Sequence, residues 1–127
     1  MSNQMPSIEQ ILGMMANKLG GEEHIPEAIK HAKEIAPELI VDVAMSSKKS
    51  VADENSPFDP KTSTLIFLAA ALALRDEECI KAQTKAALNM GATKEELLAV
   101  IKIVKHAVNS SIVGASTPIL KEIFERK

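Results

Sequence analysis

The chain has 127 residues, a formal net charge of −2, 46% hydrophobic residues, a single cysteine and three aromatic residues, all Phe. This length suits one domain with a core of its own, and one cysteine excludes an intramolecular disulfide. Scattered basic residues without Trp or Tyr speak against nucleic-acid binding, and a lone thiol fits a reduced, cytoplasmic setting.

The opening MSNQMPSIEQ lacks the basic and long apolar regions of a signal peptide. Ser7 with Gln10 then matches a capping box, and Ile8, Ile11, Leu12, Met15 and Leu19 follow at helical spacing until Gly20-Gly21. Pro26 and Pro37 fit the first turns of a second helix (IPEAIKHAKEI) and a third (PELIVDVAMSS). KKSVADENSP reads as a loop or frayed helix end. Asp59-Pro60 is a start signal for a fourth helix, apolar all round from Leu65 to Leu74. Its ten-residue run, LIFLAAALAL, is too short for a bilayer, so no membrane association is expected. A helix without a polar face is expected to be buried on all sides, and a chain this short needs oligomerisation to surround it.

Arg75-Asp76 breaks the run, and a fifth helix passes through Cys79 to about Met90 before Gly91. Thr93 with Glu96 opens a sixth, running to about Val108, where Asn109-Ser110-Ser111 is expected to interrupt. A last helix ends near Phe124. No period-two segment of useful length appears, so the fold class is all-α, with about six to seven helices.

Two groups of residues carry possible chemistry. Cys79 is either a nucleophile or a small buried hydrophobe, and its neighbours Asp76, Glu77 and Glu78 disfavour a thiolate. As first-turn residues they would sit where the helix dipole favours acids and a thiolate alike. Gln83, four residues on, can hydrogen-bond the sulfur but cannot take its proton. In VIKIVKHAVN (100–109), Lys102, Lys105, His106 and Asn109 share one helix face. This is either a solvated face or the polar wall of a cleft, with His106 as acid–base group and the lysines favouring anionic ligands. Packed on the Cys79 helix, that face would also lower the thiol's pKa. His24 and His31 read as surface residues. The three His and one Cys lack metal-ligand spacing, so no metal is expected, and no glycine-rich phosphate loop implies a nucleotide cofactor.

The stretch FDPKTSTLIFLAAALALRDEECIKAQTKAALNMGATKEELLAVIKIVKHAV resembles the carboxymuconolactone decarboxylase family, which includes the AhpD-like alkylhydroperoxidases. The resemblance rests on DPKT before a long apolar helix, an acidic-Cys segment after it, and KAAL..GATKEEL leading into an aliphatic helix. It covers roughly residues 36–124 of a single domain, leaving 1–35 as a helical extension. It implies an all-helical fold that assembles as a trimer or hexamer. The family's peroxidase branch resembles a Glu, a Cys-x-x-Cys twelve residues on, and a His four residues after the second Cys. That pattern falls on Thr64, Asp76, Cys79 and Gln83, so only the second Cys is kept. The decarboxylase branch is similar in the RDEE-type segment but also places a His where Gln83 stands. Three readings follow. Cys79 is the nucleophile of a thiol-dependent peroxidase recycled by an external thiol reductant. Alternatively, His106 and the lysines serve a decarboxylase-like enzyme acting on an anionic substrate. In the third reading the chain is a non-catalytic oligomeric binding protein.

Overall fold

The computed structural model describes residues 5–126, and within them seven α-helices and one short 3-10 turn, with no strand. The helices are α1 (Ile8–Leu19), α2 (Glu27–Ile35), α3 (Glu38–Lys48), α4 (Pro60–Leu74), α5 (Glu77–Asn89), α6 (Lys94–Ala115) and α7 (Thr117–Glu125), with the 3-10 turn at Glu22–His24. The all-α expectation holds.

The boundaries follow local chemistry. Ser7 accepts from Gln10 N while Gln10 Oε1 accepts from Ser7 N, which closes the capping box of α1. Gly20 ends α1 at φ 87°, a left-handed conformation that glycine adopts without a Cβ penalty. Asp59 Oδ1 accepts from Thr62 N at 2.7 Å to start α4, with Pro60 in its first turn. Thr93 and Glu96 cap α6 reciprocally. Pro26 and Pro37 are the cap residues of α2 and α3, one position earlier than expected.

One expectation fails. Asn109-Ser110-Ser111 does not interrupt α6, which runs for 22 residues to Ala115. Ser111 Oγ donates to Val108 O at 2.6 Å, so this hydroxyl bonds along the helix instead of breaking it. Within one chain α4 is not buried on all sides, in line with the expectation that a chain this short cannot surround it. Ser63, Thr64, Leu68 and Ala71 are buried, but Ile66 is half exposed and Leu74 is 80% exposed.

Packing is arranged around α4 and α5. Thr64, near the start of α4, touches Met90 at the end of α5, so the two form an antiparallel hairpin. The alanines Ala82, Ala86 and Ala87 let neighbours approach α5 closely. On α5's other side lie Leu19 and Ile25, in one cluster with Ala82 and Ala86. Asn89 Nδ2 donates at 3.2 Å to both Asn17 O and Lys18 O, tying the carbonyl end of α1 to α5. A second cluster, Ile11, Ala32 and Ile40, joins α1, α2 and α3. The start of α6 is tied to the start of α4 by Lys61 Nζ, 3.0 Å from Glu96 Oε2. At about 1.5 Å per residue, α6 is about 33 Å long and α4 about 22 Å, so α6 overruns its support. Val104 is its one buried residue, and α7 has none.

Two outcomes test this packing. Ile40 is fully buried, so Ile40→Ala is expected to lower stability by about 2–5 kcal/mol in urea titration. Asp59 and Glu96 accept backbone N–H bonds at a helix start, and Asp76 accepts from the Cys79 side chain and then its backbone N–H, which holds the three carboxyls below their ordinary values of 3.8, 4.5 and 3.8. Groups depressed in this way contribute stability that is present above the ordinary value and lost as pH falls through the folded one. The melting temperature is therefore expected to hold from pH 7 to about 5 and to fall below about 4. A flat profile down to pH 2 would contradict this.

Candidate functional site

Cys79 lies in the first turn of α5, half-buried. The turn before it forces the geometry. Arg75 adopts φ 59°, the one left-handed non-glycine among the described residues, and Asp76 takes an extended conformation as the N-cap. Asp76 Oδ1 accepts from Cys79 N at 3.2 Å. The position that would hold a second cysteine is therefore occupied by the carboxylate that starts the helix.

That carboxylate has a chemical effect. Burial pushes the Cys79 thiol up, and the adjacent negative charges of Asp76 and Glu78 push it further, from an ordinary value of 9.0 to about 11. At pH 7 only about one thiol in ten thousand is ionised.

The other positions of the pattern are equally altered. Thr64 is buried, and its hydroxyl donates to Pro60 O at 2.8 Å and contacts Met90 Sδ at 3.4 Å. Met90 is eleven residues beyond Cys79, or about 16 Å along α5, so Thr64 is held at the far end of the hairpin from the thiol. Gln83, one turn after Cys79, makes no hydrogen bond to the sulfur. Its Oε1 is buried without a partner among the described residues, a deficit of about 1–3 kcal/mol.

Lys102, Lys105, His106 and Asn109 share one face, as expected, and with Val108 and Ile112 they line an open groove of about 610 Å³. The face does not reach Cys79. Val104, the buried residue of α6, lies on the opposite side of the helix, and α6 packs on α4 rather than on α5. The condition under which this face would lower the thiol pKa, packing on α5, is thus not met. His24 Nε2 lies 3.7 Å from Glu23, and exposed His31 lies 3.7 Å from Glu27. Among the described residues no three His, Cys, Asp or Glu side chains gather as a metal site would require.

Sequence reasoning missed two features. The Lys61–Glu96 pair joins residues 35 positions apart, beyond any local motif. Ser46 and Ser47, read as the end of the third helix, and Ser50 and Ser56, read as part of a polar loop, line a cleft against α4.

The molecule is thus an all-helical domain built on an antiparallel α4–α5 hairpin, with a lone thiol at the start of the second helix and none of the usual partners beside it. This chain belongs to the carboxymuconolactone decarboxylase family, whose family model matches residues 39–121. It is similar to the uncharacterized protein MJ1511 of Methanocaldococcus jannaschii, 37% identical over 97 residues, covering 76% of this chain and 82% of that protein.

The state of the thiol is open to direct measurement. The rate of iodoacetamide alkylation is expected to rise tenfold per pH unit from 7 to 10 without levelling, as a pKa of about 11 requires. A plateau beginning near pH 9 would show an ordinary thiol. Asp76→Asn removes one of the raising charges and is expected to speed alkylation at pH 8.

Proposed function

We propose that this chain is a self-assembling member of its family that has given up thiol-dependent peroxide reduction and serves as a binding protein on the family fold. The observation that carries this reading is the Cys79 thiol, pushed up to about 11 by burial and by Asp76 and Glu78. A peroxidase needs a thiolate to attack peroxide and a second thiol to resolve the sulfenic acid. Here the thiol stays protonated, Asp76 replaces the second thiol, and Gln83 cannot act as a base. Were Cys79 to turn over, an external thiol would have to be the reductant.

Self-assembly is supported by unpartnered apolar surface. Ile112, Val113, Ile119, Leu120, Ile123 and Phe124 are all at least half exposed on the overhanging end of α6 and on α7. Ile66 and Leu74 leave α4 similarly bare. Patches of this extent mark interaction surfaces. By length and composition alone, α6 also qualifies as a membrane span. The Lys102–Asn109 face would then lie in lipid, where charged groups are expensive, so a protein interface accounts for the surface better. A homo-trimer or hexamer in a reduced, cytoplasmic setting is the proposed state.

A second reading is favoured by the groove of about 610 Å³ holding Lys102, Lys105 and His106. There the lysines would hold an anionic substrate while His106 moves a proton in a decarboxylase-type step. The groove is open on a single subunit, so this chemistry depends on a neighbour closing it.

Peroxide consumption with dithiothreitol is expected to be the same for the native chain and for Cys79→Ser. Turnover lost in Cys79→Ser would return the chain to the thiol peroxidases. Sedimentation is expected to give a species larger than one 13.7 kDa chain, shifted toward monomer by Ile123→Glu.

A further inference from the structure

Helix α4 has three working sides. Lys61 faces α6 and Thr64 faces α5, while Ser63, Phe67 and Ala70 turn about a quarter of the circumference away. That third side forms the floor of a cleft of about 690 Å³, walled by α3 and by the segment that connects it to α4. Cys79 does not line it, and neither does the α6 face.

The lining has a definite chemistry. Val43, Val51, Phe58, Ile66 and Phe67 make it mainly apolar. Serine hydroxyls are set among them, but they are not equivalent. Ser50 Oγ donates to Ser46 O at 2.8 Å, and Ser56 Oγ accepts from Phe58 N at 3.1 Å. Ser63 is only 8% exposed and lines the cleft floor. A hydroxyl in that position is open to a hydrogen bond from a ligand or from water. Asp42 is the one ionisable residue in the lining, with no Lys, Arg or His to hold an anion. The volume lies within the roughly 300–1,000 Å³ of small-molecule sites, which are typically apolar with a few placed polar groups.

We propose that this cleft binds a neutral or cationic amphipathic small molecule, its apolar body against Phe58 and Phe67 and one hydrogen-bonding group on Ser63. The selectivity is opposite to that of the α6 groove, whose lysines favour anions. The inference does not depend on how Cys79 is read.

The test uses two probes with the same rings. N-phenyl-1-naphthylamine is neutral with one N–H donor, and 1-anilinonaphthalene-8-sulfonate adds a negative charge. In fluorescence titration of the full chain, the neutral probe is expected to saturate at one per chain and to bind at least tenfold more tightly than the sulfonate. Ala70→Trp, at an exposed position on the cleft floor, is expected to weaken the neutral probe at least tenfold with unchanged circular dichroism. Ser63→Ala is expected to weaken it about fivefold. Asp42→Asn is expected to narrow the gap between the probes. Absence of saturable binding would overturn the proposal, as would equal affinity for both probes or binding that Ala70→Trp leaves intact. A change in sedimentation on Ala70→Trp would mean that a second copy fills the cleft, and would overturn it too.

Discussion

A single hydrogen bond, from Cys79 N to Asp76 Oδ1, decides both the architecture and the chemistry of this molecule. Asp76 stands at the turn between α4 and α5, and the left-handed Arg75 before it lets the chain reverse at once. A non-glycine residue there is strained by about 1–2 kcal/mol, which the cap and the helix it starts must offset. Once started, α5 lies along α4 and becomes the shelf for the N-terminal helices. Leu19 and Ile25 pack on its alanines, and Asn89 ties down the end of α1. The same carboxylate lies beside the only thiol and holds it protonated. A cysteine at position 76 would free the thiol from that charge but would leave the helix without this carboxylate cap.

Boundaries were legible because capping is short-range. Ser7 with Gln10, Asp59 with Pro60, and Thr93 with Glu96 are pairs within three residues, and each appears in the structure as its spacing implies. The same local logic failed at Asn109-Ser110-Ser111. Such residues prefer caps, but without a Gly or Pro beside them nothing forces the backbone out of the helix. Ser111, Ser116 and Thr117 instead direct their hydroxyls to carbonyls three or four residues back. The true end of α6 comes at Ser116, before Pro118, where proline cannot continue the ladder.

Positions in the site were legible and their surroundings were not. The replacements at Thr64, Asp76 and Gln83 follow from the alphabet alone. Thr64 donates locally to Pro60 O, but its contact with Met90 spans 26 residues, and where the α6 face points depends on the side that seats Val104. Those are tertiary facts that one-dimensional spacing does not encode. The apolar stretch 65–74 shows the same limit. Its composition implied burial all round, yet in one subunit Ile66 and Leu74 face outward. Composition gives the apolar character of the helix, and the packing within one chain covers only part of it.

The overhang of α6 follows from its length. Both α4 and α6 start from the Lys61–Glu96 pair, so the longer helix must run on roughly 11 Å beyond the end of α4. The stripe of Lys102, Lys105, His106 and Asn109 runs up to that end, where it lines one groove with the apolar Val108 and Ile112. Burying these apolar side chains against another subunit, at about 1.5–3 kcal/mol for each large side chain, would carry the stripe into the same contact. Charges are tolerated at such a contact only when paired or left wet. The assembly proposed for this chain therefore sets the conditions under which His106 has any chemistry, because the groove it lines is a cleft only when a second surface stands across from it.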